Sequence, residues 1–352
     1  MDKKRANGVY LTKGDPFAYD TVSRWLAEAI GDRMDISVCE PYAGTNSLLR
    51  SLWNRHAALF DGVHVSWASY DIDPPAEATN LFPQSPILRA DTLEHVPGRY
   101  DIIITNPPYL ARNSARRRGL PFPFDYAGTG IAAPADLYQI ALDSCLAACR
   151  HAAMLIPESF ITSSYDKSRL ASAISLPGNL FDDTECPVCL ALFAESTSEG
   201  FDIVSSDGAS SISYAEASAA YDACIGYAME AYPHGTNISF NVPDGEIGLL
   251  GVDSSKGRPV CFVDGAEIDP ARIKGTSRSI TRMHAVDMNG KGTDEVIARA
   301  NEILAEWRSK TCDVFMTAFK GTIEGTGRYR RRLSFREAEA ILNTAICQSP
   351  HA

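Results

Sequence analysis

The 352-residue sequence predicts an α/β protein: a doubly wound, mostly parallel sheet followed by a smaller C-terminal domain. Three observations predict it. Short apolar runs rich in β-branched residues alternate with helical periods from about residue 36 to residue 156. Four of those runs end in a polar acceptor, at Glu40, Asp71, Asp91 and Asn106; parallel strands with helical crossovers bring such ends to one rim, where open α/β sheets bind ligands. Around residues 194–200 the composition shifts to Ser, Glu and Gly, which divides the chain into residues 1–200 and 201–352.

Composition narrows the class. A hydrophobic share of 45% with 22% charged residues describes a globular chain rather than a disordered one. The formal net charge of −11 argues against coating nucleic acid through bulk charge, but leaves room for a local basic cleft. Nine scattered cysteines form no dense framework, and no apolar region follows the basic N-terminus. Reduced thiols and a cytoplasmic location are therefore expected. No apolar run approaches a membrane span, so no membrane partner is expected.

A turn-rich loop, Lys13-Gly14-Asp15-Pro16-Phe17, precedes a helix over 21–30 with Val22, Trp25, Leu26, Ala29 and Ile30 at helical spacing. A first strand over 36–39 runs into Glu40-Pro41-Tyr42-Ala43-Gly44-Thr45-Asn46, and a helix follows from Ser47 to about Ala58. A carboxylate at this strand end can take up a ligand ammonium or hydroxyl, and Gly44 lets backbone approach the ligand. The turn lacks the full glycine pattern of a dinucleotide site and reads equally as a purely structural turn. A second strand over 63–70 closes at Asp71-Ile72-Asp73-Pro74. An acidic residue there can grip a ribose diol, and Ile72 can pack on an adenine face; a solvated carboxylate is the plainer alternative. Residues 87–91 repeat the pattern, with Asp91 able to accept from an adenine amine.

The fourth strand, over 99–105, ends at Asn106-Pro107-Pro108-Tyr109. Two prolines cannot continue a ladder, since neither has an N–H to donate. The Asn106 side-chain oxygen and the Pro107 carbonyl can accept both N–H bonds of a planar amine and aim its lone pair at an electrophile. Tyr109 can stack on the base that carries the amine, worth about 1–3 kcal/mol.

Beyond it, residues 112–124 read as a basic, Pro-rich loop suited to phosphates. A helix opens at Asp136-Leu137-Tyr138, a strand follows over 151–156, and residues 186–193 form one arm of a closing antiparallel pair. Cys186 and Cys189 have zinc-like spacing, but no second pair completes a site, so they read as strand residues. In the C-terminal part, residues 274–282 are basic and hydroxyl-rich, 294–307 form an amphipathic helix, and 325–332 hold four arginines around Tyr329. Such runs suit phosphates and base edges, although charge runs are commonly solvated faces.

Taken together, these stretches resemble the DNA adenine-N6 methyltransferases of restriction–modification systems, in the subgroup whose methionine-binding motif precedes the first strand. The resemblance covers about residues 10–195. Asn106-Pro107-Pro108-Tyr109 matches the catalytic tetrapeptide, Glu40-Pro41-Tyr42-Ala43-Gly44 the cofactor turn, Tyr70-Asp71-Ile72-Asp73-Pro74 the ribose-binding strand end, and Ala90-Asp91 the adenine contact. Asn46 stands where a second glycine is common, and Ala18-Tyr19 where Thr-Pro is usual. The resemblance implies a sheet of the methyltransferase type, S-adenosylmethionine as cofactor and no metal. It implies catalytic roles for Asn106, Pro107 and Tyr109, with Phe181 sandwiching a flipped base, although a core phenylalanine fits Phe181 equally. It implies cofactor contacts from Lys13, Phe17, Glu40, Tyr42, Gly44, Asp71, Ile72 and Asp91. Double-stranded DNA is the implied partner, read by the C-terminal domain, and a cognate restriction endonuclease is compatible with it. Methylation of RNA or of a protein glutamine, or a catalytically silent nucleic-acid-binding module, are the alternatives.

Overall fold

The computed structural model describes residues 15–120, 122, 134–178, 187–197, 200–226 and 237–347. The chain forms two compact units: Met1–Phe160 with Ser164–Ala209, and Ile161–Ser163 with Ser210–Ala352.

The N-terminal unit opens with α1 (Asp20–Ile30), which buries Val22, Trp25, Leu26, Ala29 and Ile30 along one stripe. The sheet then runs through β1 (Asp35–Glu40), β2 (His64–Asp71), β3 (Ile87–Arg89) and β4 (Tyr100–Thr105), with α2 (Ser47–His56) crossing from β1 to β2. After a short α3 (Arg112–Arg118), α4 (Leu137–Ala148) leads into β5 (Cys149–Pro157), then β6 (Leu170–Ser175), β7 (Val188–Phe193) and β8 (Asp202–Val204). The spatial order is β3-β2-β1-β4-β5-β7-β6-β8. The pairs β2–β3, β1–β2, β1–β4 and β4–β5 are parallel, while β7 lies antiparallel to both β5 and β6. This is the doubly wound, mostly parallel sheet expected, with the antiparallel arm where residues 186–193 predicted it. Buried on both faces, β5 and β7 read as continuous apolar runs. Cys189 lies inside β7, and Cys186 lies outside the described residues.

One local expectation fails. Residues 112–118 are helical, not a loop. Nothing in Arg112–Arg118 breaks a helix, Ala115 is fully buried against Leu110, Leu137 and Ile140, and Gly119 ends the turn in the left-handed region.

The C-terminal unit begins with β9 (Ser211–Ser213) and α5 (Tyr214–Tyr221). Its four-stranded antiparallel sheet has the order β10 (Ile238–Phe240), β13 (Ile280–Ala285), β11 (Ile247–Leu250), β12 (Cys261–Asp264). The amphipathic helix expected at 294–307 extends over α6 (Thr293–Thr311). A hairpin, β14 (Thr317–Thr322) and β15 (Tyr329–Arg332), precedes α7 (Phe335–Cys347). Trp307, Phe262, Met283 and Ile341 sit in one buried cluster. Asp253, almost fully buried, accepts from both Arg308 terminal nitrogens and from the Val260 and Arg331 N–H groups, so its charge is fully bonded.

Candidate active site

Glu40 and Asp71 are the last residues of β1 and β2, Asn106 follows the last residue of β4, and Asp91 lies two residues past β3. These strands are neighbours and parallel, so the structure brings all four predicted acceptors to one edge of the sheet.

The turn after β1 is tightly built. Gly44 has φ 51° and donates its N–H to Asp71 Oδ2 at 2.8 Å, while Asp73 N–H donates to Asp71 Oδ1 at 2.8 Å. Both oxygens are thereby fixed in place, and each keeps a lone pair for a ligand hydroxyl. Asn46 also lies in the left-handed region, at φ 59°, which explains how it can stand where a glycine is common. Its amide donates to Asn80 Oδ1 at 3.0 Å and to the Ser85 carbonyl at 2.9 Å, and it accepts from Ser69 Oγ at 2.8 Å. A glycine could supply the backbone angle but none of these bonds.

Glu40 is 2% exposed, and its Oε2 is buried without a hydrogen-bond partner among the described residues. Burial pushes its carboxyl well above the usual range; the Leu49 amide opposes that rise, and the Asp71 charge adds to it. An orphaned buried carboxylate oxygen beside an ordered carboxylate is an acceptor waiting for a donor. A methionine ammonium on Glu40 and a ribose diol on Asp71 fit this donor-poor set. Ile72, 62% exposed next to Asp71, offers an apolar surface of the kind an adenine face packs on.

Tyr42 and Thr92 staple two strand ends together. Tyr42 donates to the Thr92 carbonyl at 3.2 Å, and Thr92 Oγ1 donates to the Pro41 carbonyl at 2.5 Å. Asp91 is exposed and accepts from the Leu93 N–H at 3.1 Å. Phe17 is fully buried rather than open to a ligand; its N–H is held by Asp15, which also bonds Ser51 and Arg55 of α2, and its carbonyl meets His56 Nε2 at 3.0 Å. Lys13 and Phe181 lie outside the described residues.

Tyr109 differs from its expected place at the rim. It is 7% exposed, and its hydroxyl lies 2.5 Å from Asn106 Oδ1 and 2.6 Å from the Leu155 carbonyl of β5. Pro107 is buried, while Asn106 and Pro108 are half-buried. Sequence reasoning missed what fixes this loop from the other side. Asp136 Oδ1 accepts from the Leu110 N–H at 2.9 Å while capping α4 through the Tyr138 N–H. The Arg112 N–H donates to the Ala135 carbonyl at 2.8 Å, which closes a small antiparallel bridge. A helix-opening Asp136 was legible; its second bond, to the residue after Tyr109, had no local signal. Among the described residues no cluster of His, Cys, Asp and Glu has the makings of a metal site.

Solved structures with a similar fold include a protein from Listeria monocytogenes assigned to the class I S-adenosylmethionine-dependent methyltransferases, at 15% identity and TM-score 0.41, over 53% of this chain and 63% of that one. A type I restriction–modification methyltransferase subunit from Streptococcus thermophilus aligns at 16% identity and TM-score 0.38, over 55% of this chain and 48% of that one. The 23S rRNA methyltransferase ErmE aligns at 17% identity and TM-score 0.32, over 64% of this chain and 81% of that one. The chain thus spans 63% and 48% of the first two structures, and these likenesses concern the fold alone. No family model matches the chain. No curated protein sequence matches it either.

Proposed function

We propose that the protein methylates N6 of adenine in duplex DNA, with S-adenosylmethionine as donor. The observation that carries this reading is the convergence of the orphaned Glu40 carboxylate, the pre-oriented Asp71 carboxylate and the Asn106-Pro107 acceptors at the carboxyl ends of three adjacent parallel strands. Two of these ends suit a nucleoside bearing an ammonium; the third suits an amine that must be held planar side out.

When bound, the sulfonium supplies an activated methyl group and departs as a neutral thioether. Asn106 Oδ1 and the Pro107 carbonyl accept the two N6–H bonds, which frees the nitrogen lone pair for attack on the methyl carbon. The N6 proton would then pass to solvent. Adenine N6 is paired inside a duplex, so the base must leave the stack, at a cost of a few kcal/mol that the pocket offsets. The C-terminal unit supplies the choice of DNA sequence, and a cognate restriction endonuclease is a compatible partner.

Tritium transfer from labelled S-adenosylmethionine to unmethylated duplex DNA tests the reaction, with an RNA stem and a glutamine-containing peptide as parallel acceptors. Label is expected in DNA adenine. Asn106→Ala should bind the cofactor within about twofold of wild type and lose transfer by roughly a thousandfold or more. Normal turnover in that variant would remove Asn106 from its role, and label only in RNA or peptide would replace the DNA reading.

A further inference from the structure

The C-terminal unit contains a cleft of about 490 Å³, lined among others by Asn241, Thr276, Ser277, Arg278, Arg332 and Phe335. We propose that this cleft grips a phosphodiester group of duplex DNA, with Arg278 and Arg332 as its phosphate ligands. The inference rests on the DNA reading of the substrate and assigns it a second, separate binding site.

The two arginines come from distant stretches, and the fold pins both stretches at the end of β10. Asn241 follows β10 with φ 60°, and its amide nitrogen donates to the Gly275 and Ser277 carbonyls at 3.2 and 3.4 Å. Its own N–H is taken by Thr281 Oγ1 of β13 at 2.8 Å. Ser277 Oγ closes the turn onto the Ile280 carbonyl at 2.5 Å. On the other side Phe335 stacks on Phe240 of β10, with ring centres 4.3 Å apart and planes 12° from parallel, and the Leu333 N–H donates to the Gly251 carbonyl at 3.0 Å. Arg278 and Arg332 therefore sit on anchored backbone, so a ligand would have to order their side chains but not the chain that carries them.

Their chemistry selects an anion. Among the described residues neither side chain makes a hydrogen bond or ion pair. Three other arginines of this unit are otherwise employed: Arg282 bonds the Ile268 and Pro243 carbonyls, Arg308 bonds Asp253 and Asp313, and Arg330 bonds the Asp253 carbonyl. No Asp or Glu lines the cleft; nearby Glu337 is spent on the Ser334 N–H. In a chain of net charge −11, two unpaired guanidinium groups at a cleft free of carboxylates are a local exception. A guanidinium fork matches two oxygens of one phosphate. The exposed Thr276 hydroxyl adds a neutral donor of the kind that accompanies arginine on a DNA backbone. Asn241, which holds the loop, is a positioning residue.

The test titrates full-length protein against a fluorescently labelled DNA duplex over a range of salt, beside an RNA stem of matched length. Arg278→Ala combined with Arg332→Ala should weaken duplex binding roughly tenfold near 0.1 M salt and flatten the log–log salt slope by about 2. Arg278→Lys combined with Arg332→Lys should keep the wild-type slope, because charge is retained. Arg299→Ala, which removes an exposed partner of Glu302 on α6, should bind as wild type does. Cofactor binding measured by calorimetry should be the same in all variants. An alanine pair that binds duplex with wild-type affinity and slope, while wild type methylates DNA, overturns the cleft and leaves the reaction standing. A wild type that binds cofactor but no duplex at low salt overturns both. Tighter, equally arginine-dependent binding of the RNA stem overturns the assignment to DNA.

Discussion

Tyr109 acts through its hydroxyl in this structure, and that changes what its substitution should do. The phenol has one proton and two acceptors within reach, Asn106 Oδ1 and the Leu155 carbonyl. Donation to Asn106 Oδ1 occupies one lone pair of that oxygen, holds the amide in place and leaves the second lone pair for an amine N–H. Tyr109→Phe keeps the ring but loses this anchor. It is expected to lower kcat about tenfold, equivalent to about 1.4 kcal/mol in the barrier, with KM for DNA nearly unchanged. It should also cost about 1 kcal/mol of stability in urea unfolding for the lost bond to the Leu155 carbonyl. If the phenylalanine variant turned over normally, stacking rather than positioning would be the role of this ring. Glu40 calls for a different measurement. Burial, opposed by the Leu49 amide and reinforced by Asp71, raises its carboxyl pKa in the folded protein. The folded state then holds a proton that the unfolded chain gives up above roughly pH 4.3. The cofactor-free protein therefore loses stability as pH rises from there through the folded-state value, and the cost is absent below that window. Glu40→Gln removes the cost, so the free variant should melt above wild type near neutral pH and level with it at about pH 4. An ammonium on Glu40 favours the ionised carboxylate. Cofactor binding by wild type should thus release a proton and tighten with rising pH through the same window, and the Gln variant should do neither. Calorimetry in two buffers of different ionisation enthalpy reads this directly; proton uptake by wild type would contradict the assignment.

At the level of elements, strand–turn–helix units were legible because their signals are local. The apolar run of β1, the Pro41–Gly44 turn and the apolar stripe of α2 each follow from periodicity or punctuation within a dozen residues. The polar ends of β1, β2 and β4 followed too, since parallel strands leave their last residues on one edge. What stayed hidden depends on partners far along the chain. Tyr109 turns inward because its acceptor is Leu155, and the loop around it is tied by Asp136. The basic run 325–332 looked uniform, yet Arg330 lies over the Phe319 ring and bonds the Asp253 carbonyl, whereas Arg332 is left at the cleft. No composition rule separates those two arginines, and strand alternation puts both on the face opposite buried Tyr329 and Arg331; only their distant partners, Phe319 and the Asp253 carbonyl for Arg330, tell them apart. The α3 helix was missed for a related reason: its apolar face is one alanine, and its helical state comes from packing on Leu137 and Ile140 rather than from a pattern of its own.

For the whole molecule, the two units divide the proposed labour in a way that hydrogen exchange can resolve. Each has its own sheet, and the orphaned carboxylate belongs to one while the unpaired arginines belong to the other. A ligand that binds only the native form stabilises what it touches by RT ln(1 + [L]/Kd), about 2.7 kcal/mol at a hundredfold excess over Kd. Openings suppressed by S-adenosylmethionine should therefore be those that expose residues 40–46 and 71–73, whose amides include the Gly44 and Asp73 donors to Asp71. Exchange there is expected to slow by up to about a hundredfold, with residues 275–278 and 332–335 unchanged. Duplex DNA added without cofactor should give the converse, slowing 275–278 and 332–335 and leaving the Gly44 and Asp73 amides at their free rates. Equal protection of both regions by the cofactor alone would mean that its binding energy reaches the C-terminal unit, and the assignment of cofactor to one unit and DNA backbone to the other would have to be abandoned.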